Sequence, residues 1–192
     1  MSARSPIAIA VLLFLLCGSP HAGRAAPAAD GHGPRMVMII RHAEKPDDAE
    51  NPDLASKGRQ RAEAIAKQFV ERFPRPDFIL ATARSKNSNR PVETVEPLAK
   101  SLHLRIEAGH KNAEFEAVAH DVLADPRFAG KVVLICWHHG KIPDLARALG
   151  AAEAPAKWDP NVFDRVWEID YDNGAAKWHD RPEQMLPGDS TK

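Results

Sequence analysis

The chain has 192 residues, a length that suits one domain with some additional sequence. Lysine plus arginine and aspartate plus glutamate number 26 each, so the formal net charge is zero with neutral histidine. This balance gives no basic excess for binding nucleic acid and no acidic excess typical of a solvating tail. The hydrophobic fraction of 44% suits a globular domain with a core.

The first 25 residues have the pattern of a secretory signal peptide. Arg4 precedes an apolar run over 7–17 and small residues follow, with cleavage after Ala22 or Ala25, of which Ala25 better fits the small-residue rule. An apolar run of this length is too short to span roughly 30 Å of hydrocarbon, so we expect no stable membrane insertion after cleavage. The sequence therefore predicts a secreted or periplasmic protein with a flexible lead-in over 26–34.

Cysteine usage fits an exported protein that folds without disulfides. Cleavage removes Cys17 and leaves Cys136 as the single cysteine. A secreted protein with one cysteine has no internal disulfide, so its fold depends on packing. Cys136 stands in an apolar run, which favours a core position over a reactive thiol.

Patterns typical of buried strands and amphipathic helices alternate along the rest of the chain. The strand-like runs lie at 36–40, 78–80, 104–106, 131–136 and 163–171. The helical patterns lie at 54–73, around 95–102, at 114–124 and at 143–149. This alternation predicts a three-layer α/β/α sandwich around a mainly parallel central sheet.

The sequence shows no internal repeat and no second domain. We assign the single domain to 35–179. Residues 180–192 are polar and contain proline and glycine, which predicts a loose C-terminal tail.

Histidine follows two of the predicted buried strands. Arg41 and His42 come directly after the first strand, and His138 and His139 follow the run at 131–136. Ligands of open α/β sheets bind beyond the carboxyl ends of the strands. Arg90, in the loop before a helix, adds a second guanidinium, and the guanidinium fork matches the oxygens of a phosphoryl group. The simpler alternative is that these polar residues only bond a neighbouring loop.

The adjacent pair His138 and His139 also raises the hypothesis of a metal site. Neighbouring residues of a strand point to opposite faces, so this pair is poorly arranged to supply two ligands. The remaining histidines show no metal-ligand spacing. The sequence therefore predicts no metal.

Four segments, in this order, resemble motifs of the histidine phosphatase superfamily, which has the phosphoglycerate-mutase-like fold. Residues 41–45, RHAEK, resemble the family's Arg-His-Gly-Glu signature, with Ala43 in place of glycine. Residues 54–62, LASKGRQRA, are similar to its Leu-Ser/Thr-x-x-Gly-x-x-Gln-Ala helix start, and 90–99, RPVETVEPLA, to Arg-Ala-x-x-Thr-Ala. Residues 132–143, VVLICWHHGKIP, resemble the strand and turn that deliver the family's second histidine.

This resemblance, which runs over about residues 36–171, implies covalent catalysis through a phosphohistidine. His42 would attack phosphorus, while Arg41 and Arg90 would hold the equatorial oxygens. Water would then release phosphate, and the implied reaction needs no metal or other cofactor. The implied substrate is a phosphorylated small molecule or a phosphorylated protein.

Two roles stay open within this resemblance. His138 ends the strand directly, but members that resemble this chain more closely carry Trp-Glu-His or Trp-Gln-His at the turn, so we prefer His139 as the second pocket histidine. The general acid would come from the region of Glu114, although a carboxylate there also suits a helix N-terminus. Because Ala43 replaces glycine and the acid is open, the alternative function is a non-catalytic phosphate- or anion-binding protein that retains the pocket.

Overall fold

The computed structural model describes residues 33–48, 50–172 and 174–191. The predicted signal peptide and most of the predicted lead-in lie outside these residues. None of the helices in the described ranges combines the length and the apolarity needed to cross a membrane.

Strands and helices alternate along the described chain as the sequence predicts. The strands are β1 (Met36–Arg41), β2 (Phe78–Ala81), β3 (Ile106–Glu107), β4 (Val132–Trp137), β5 (Arg165–Asp172) and β6 (Ala175–Pro182). The helices are α1 (Ser56–Arg72), α2 (Arg90–Leu102), α3 (Phe115–Ala124) and α4 (Ile142–Ala148). Strand β6 is additional to the prediction because its residues are largely exposed and polar and form no apolar run.

The strands form one mixed sheet in the order β3-β2-β4-β1-β5-β6. Strands β3, β2, β4 and β1 are parallel neighbours, whereas β5 is antiparallel to β1 and β6 is antiparallel to β5. The prediction of a mainly parallel sheet is therefore only partly right. Strands β5 and β6 follow each other through a short turn at Gly174, where φ is 78°, and so short a connection permits only antiparallel pairing.

The period of two in β1 divides the core into two layers. Val37 and Ile39 pack in one hydrophobic cluster with residues of α3 and α4. Met38 and Ile40 point to the other face and pack with residues of α1 and α2. The α/β/α sandwich is thereby confirmed, and Cys136 lies fully buried in the second cluster, as predicted.

The segment predicted as a loose tail is packed onto the fold over its described residues. Its first residues complete β6, which pairs with β5. Glu183 and Met185 are buried, and the carboxylate of Asp189 lies 2.9 Å from the guanidinium of Arg61. Residues 180–189 therefore differ from the predicted loose tail, because a buried guanidinium requires carboxylate partners, and this segment supplies two of them.

Helix α1 approaches the chain beyond β1 at a glycine. A Cβ atom added to Gly58 would lie 2.3 Å from the backbone oxygen of Glu44 and 3.0 Å from its backbone nitrogen. The same Glu44 oxygen accepts a hydrogen bond of 2.9 Å from the backbone N–H of Ala55. The absence of a side chain at 58 therefore sets how closely α1 packs against the residues that follow His42.

We expect Gly58→Ala to lower the free energy of unfolding by about 1–3 kcal/mol, because the new methyl group meets backbone atoms that cannot rotate away. Urea unfolding followed by circular dichroism measures the change. Gly109→Ala is the matched control, since a Cβ at that position meets nothing within 4 Å. Equal stability of the two variants would contradict the close approach of α1.

Candidate active site

The candidate site lies at the carboxyl ends of two adjacent parallel strands. Arg41, the last residue of β1, is in register with Trp137, the last residue of β4. The backbone N–H of His42 donates to the Trp137 oxygen at 3.1 Å, which continues the pairing by one residue. His42 and His138 therefore leave the sheet side by side, at the edge where α/β sheets bind ligands.

His42 is held as a neutral imidazole. It is 3% exposed, and its Nδ1 lies 2.8 Å from the Ala43 carbonyl oxygen, so Nδ1 carries the proton and Nε2 keeps its lone pair. Burial lowers the pKa of His42 to about 3, and the charges of His138, Arg41 and Arg90 act in the same direction, whereas the bond to the Ala43 carbonyl opposes them. This arrangement is the one a nucleophilic histidine requires.

The second histidine beside this ring is His138. The ring centroids of His42 and His138 are 5.1 Å apart, and the rings meet edge to face. Burial lowers the pKa of His138 to about 4, and the cations Arg90 and Arg41 contribute to the shift. The structure thus brings His138 against His42, because His138 follows the last residue of β4 directly.

His139, which the motif resemblance favours as the second pocket histidine, directly follows His138 in the turn after β4. Burial, followed by the charges of Arg41 and Lys45, lowers its pKa. Its Nδ1 is buried and has no hydrogen-bond partner among the described residues. The charge of Arg41 therefore acts on His139, whereas the contact with the His42 ring is made by its neighbour His138.

Arg41 is fixed by the segment before β5. Its Nη1 donates to the carbonyl oxygens of Pro160 at 2.6 Å and Val162 at 3.0 Å, and its Cζ lies 3.7 Å from the centre of the Phe163 ring. Burial lowers the pKa of Arg41 to about 10, so the group remains a cation at neutral pH. Arg41 is thus a rigid positive charge with no carboxylate hydrogen-bonded to it among the described residues.

Arg90 begins helix α2 and is tied to the His42 turn through Thr94. The hydroxyl of Thr94, which is fully buried, donates to the Arg90 carbonyl at 2.7 Å and accepts from the backbone N–H of Ala43 at 2.9 Å. The Arg90 guanidinium donates through Nη1 to the Asn51 carbonyl at 3.0 Å, and burial lowers its pKa. One helical turn therefore fixes both the second arginine and the backbone beside the first histidine.

Three buried nitrogen atoms around this site have no hydrogen-bond partner among the described residues. They are Nε of Arg41, Nε of Arg90 and Nδ1 of His139. Buried N–H groups of native proteins are almost always paired, so the unpaired Nε–H groups of the two arginines favour an acceptor, and a cation favours an anionic one. No group of three or more His, Cys, Asp or Glu side chains with the geometry of a metal site occurs in the described ranges.

Glu114 does not join this group of residues in the structure. It is exposed and precedes α3, and its Oε2 accepts a hydrogen bond of 2.8 Å from the backbone N–H of Lys111. No hydrogen bond or ion pair connects its carboxylate to His42 or His138 within the described chain. The structure therefore gives Glu114 a place in the turn before α3 and leaves the general acid unassigned.

The four central side chains, Arg41, His42, Arg90 and His138, could be named from the sequence, whereas the residues that hold them could not. Thr94 carried a signal, because it stands in the segment 90–99 that resembles a family motif. Residues 160–162, whose carbonyl oxygens bind Arg41, carried none, since they form a loop without periodicity, and Phe163 was predicted only as the start of a strand. Carbonyl oxygens are common to every residue type, so their contribution to a site cannot be read from side-chain patterns.

Solved structures of phosphatases share this fold. A phosphoserine phosphatase from Entamoeba histolytica, in complex with 3-phosphoglyceric acid, is 15% identical with a TM-score of 0.55, over 79% of this chain and 98% of its own. A mycobacterial glucosyl-3-phosphoglycerate phosphatase is 16% identical with a TM-score of 0.51, over 77% and 97%. The protein histidine phosphatase SixA, complexed with tungstate, is 16% identical with a TM-score of 0.50, over 75% and 94%.

The chain has the fold of these phosphatases. They are members of the histidine phosphatase superfamily, so the phosphoglycerate-mutase-like fold predicted from the motifs is confirmed. No protein-family model and no curated protein matches the sequence. The similarity to known proteins is therefore one of fold.

The low pKa of His42 predicts a pH dependence of stability. Between the unfolded pKa of about 6.5 and the folded pKa of about 3, the unfolded chain binds a proton that folded His42 does not. Stability therefore falls as pH decreases from about 6.5, by up to about 1.4 kcal/mol per pH unit from this residue. We expect the free energy of unfolding, measured with urea between about pH 7 and pH 4, to depend less steeply on pH in His42→Gln than in the wild type. Identical slopes in the two proteins would contradict the lowered pKa of His42.

Proposed function

We propose that this protein is a phosphatase that hydrolyses phosphate monoesters with His42 as the nucleophile. The observation that carries the proposal is the buried, neutral His42, whose Nδ1 donates to the Ala43 carbonyl and whose Nε2 is left with its lone pair. His138, Arg41 and Arg90 surround it with one ring and two cations. The shared fold with phosphatases supports the same class of reaction.

The proposed reaction has two displacement steps at phosphorus. Nε2 of His42 forms a bond to phosphorus as the bond to the ester oxygen breaks, which gives a phosphohistidine and the free alcohol or phenol after proton uptake. Water then attacks the same phosphorus, the electron pair of the nitrogen–phosphorus bond returns to Nε2, and the proton of water passes to solvent. Phosphate and neutral His42 are the final state.

Charge on the phosphoryl oxygens is the main barrier that the site must lower. Arg41 and Arg90 supply two cations that hold their position through backbone carbonyls, so little reorganisation accompanies the reaction. Neutral His138 beside His42 adds a ring nitrogen within the same pocket. An incoming phosphoryl dianion favours the protonated form of this histidine, which would then donate to an oxygen.

The substrate class proposed here is a phosphorylated small molecule or a phosphorylated protein encountered outside the cytoplasm. The structural neighbours act on a phosphohistidine protein, on phosphoserine and on glucosyl-3-phosphoglycerate, and a phosphoryl group bound to nitrogen or oxygen is common to them. Export rests on the signal-like pattern of residues 1–25. We propose a secreted or periplasmic location on that pattern.

The alternative proposal is a phosphate- or anion-binding protein without turnover. It is favoured by the position of Glu114, whose carboxylate binds the backbone before α3 and leaves the pocket without an assigned proton donor. Such a protein would bind inorganic phosphate or vanadate through Arg41 and Arg90 and would release no product from an ester. Binding measured beside hydrolysis therefore separates the two proposals.

Hydrolysis of p-nitrophenyl phosphate by the folded protein is the expected result, since p-nitrophenolate departs without needing a proton. His42→Ala should abolish hydrolysis, and Arg90→Lys should lower kcat by about 10²–10³-fold through loss of one positioned donor. His120→Ala is the matched control, because His120 is an exposed histidine on α3. Vanadate binding without hydrolysis over a wide pH range would overturn the phosphatase and leave the binding protein.

The two histidines after β4 should differ in effect. His138→Ala should lower kcat/KM for p-nitrophenyl phosphate by about 10²-fold or more, because it removes the ring that faces His42. His139→Ala should have a much smaller effect on kcat, since the contact with the His42 ring belongs to His138. The reverse order, with His139→Ala the more damaging variant, would restore the preference drawn from the sequence.

A further inference from the structure

A buried guanidinium at Arg61 connects the residues after His42 to the C-terminal segment. Arg61 is 2% exposed, and its Nε lies 3.2 Å from both carboxylate oxygens of Glu44, with Nη2 2.9 Å from Oε1. Its Nη1 and Nη2 each lie 2.9 Å from an oxygen of Asp189, and Nη1 lies 3.3 Å from Glu183. The guanidinium of Arg61 is thus shared by one acidic residue near His42 and two acidic residues of the C-terminal segment.

The C-terminal segment presents Asp189 to Arg61 in a fixed orientation. The Oδ2 atom of Asp189 also accepts the backbone N–H groups of Met185 and Leu186, at 2.9 Å each. Met185 is buried in the cluster under α1 and α2, and its carbonyl accepts from the Gln68 side chain at 3.2 Å. The segment is therefore anchored by its own packing, so it is able to hold the guanidinium in place.

Arg61 is also connected to His42, because its partner Glu44 lies two residues after His42 in the chain. Glu44, which binds Arg61, directly follows Ala43, and the Ala43 carbonyl accepts the proton of His42 Nδ1 at 2.8 Å. The Ala43 peptide is also held by Thr94 through its N–H group. A shift of Glu44 would consequently move the carbonyl that selects the tautomer of His42.

We propose that Arg61 is a positioning residue for the phosphoryl site and that the C-terminal segment 183–189 holds it in place through Asp189. The inference rests on the proposed function for its consequence in catalysis, but the orientation of His42 is measurable without turnover. In the segment that resembles the family's helix start, Arg61 stands where that motif has glutamine. A glutamine amide carries no charge, so the acidic residues at 183 and 189 complement the arginine of this chain.

The charge pattern separates Arg61 from the two arginines of the pocket. Hydrogen bonds with Asp189 and Glu44 raise the pKa of Arg61 against the effect of burial, whereas burial lowers the pKa of Arg41 and Arg90. A guanidinium already surrounded by carboxylates has no capacity for a phosphate. Arg61 thus acts on the site through Glu44 and without touching a substrate.

The test uses Asp189→Asn in the full chain, with Asp180→Asn as the matched control. Asp180 pairs with Arg165 on the outer strands and makes no contact with Arg61 among the described residues. We expect Asp189→Asn to lower kcat for p-nitrophenyl phosphate by about 10- to 100-fold with a change in KM below about twofold. We also expect the ring-nitrogen chemical shifts of His42 to move from the values of a single tautomer towards those of a mixture of two tautomers. In Asp180→Asn, both kcat and these chemical shifts should stay as in the wild type.

Asp189→Glu provides the second variant if Asp189→Asn does not fold. It keeps the charge opposite Arg61 but displaces it by one methylene group, so the same change in the His42 shifts is expected. Unchanged His42 shifts in a folded Asp189 variant would overturn the proposal, whatever the activity of the wild type. If the wild type hydrolyses no phosphate monoester but the His42 chemical shifts still change in an Asp189 variant, the positioning role of Arg61 stands and the phosphatase is rejected.

Discussion

The hydrogen bond from His42 Nδ1 to the Ala43 carbonyl is the constraint on which the proposed chemistry depends. It places the only ring proton of neutral His42 away from the site and leaves Nε2 as the reactive nitrogen. A bond between neighbouring residues is short-ranged, so it holds only if the Ala43 peptide cannot rotate. Thr94 fixes the N–H side of that residue, and the close approach of Gly58 to the Glu44 backbone fixes the next peptide. The His42 ring is thus oriented by backbone geometry, which the packing of α1 and α2 maintains.

The arginines near His42 fall into two groups that differ in their hydrogen-bond partners. The guanidinium groups of Arg41 and Arg90 are bound to carbonyl oxygens, which orient them without cancelling their charge. Arg61 is bound to carboxylates, which cancel its charge and leave it structural. Burial lowers the pKa of both Arg41 and Arg90, because it disfavours the charged form of each group. In the proposed phosphatase, the charge of a bound phosphoryl group would offset this cost.

Most of the fold was predictable from the sequence because local periodicity reports burial. The runs at 36–40 and 131–136 predicted the two central strands, and their polar ends predicted the position of the site. Strand β6 was not predictable, since only Ala176 and Trp178 on one face pack against the core and most of its other residues are exposed, so pairing with β5 defines the strand. The packing of the C-terminal segment was missed for a similar reason. Acidic residues such as Glu183 and Asp189 are usually exposed to solvent, and the sequence does not show that they pair with Arg61. The choice between His138 and His139 required the end of β4 to within one residue, which composition does not define.

Ala43 is the departure from the family motif that first suggests a lost activity, yet the structure accommodates it. Positive φ angles among the described non-glycine residues occur at His103 and Gln184, so Ala43 needs no conformation that favours glycine. Ala43 is fully buried in a small hydrophobic cluster with Leu54 and Ala62. The substitution therefore leaves the peptide next to His42 intact and adds packing to the turn. The general acid is a different matter, because the Glu114 carboxylate is bound to the backbone before α3. In the proposed phosphatase, the need of the leaving group for a proton would therefore decide which esters are cleaved.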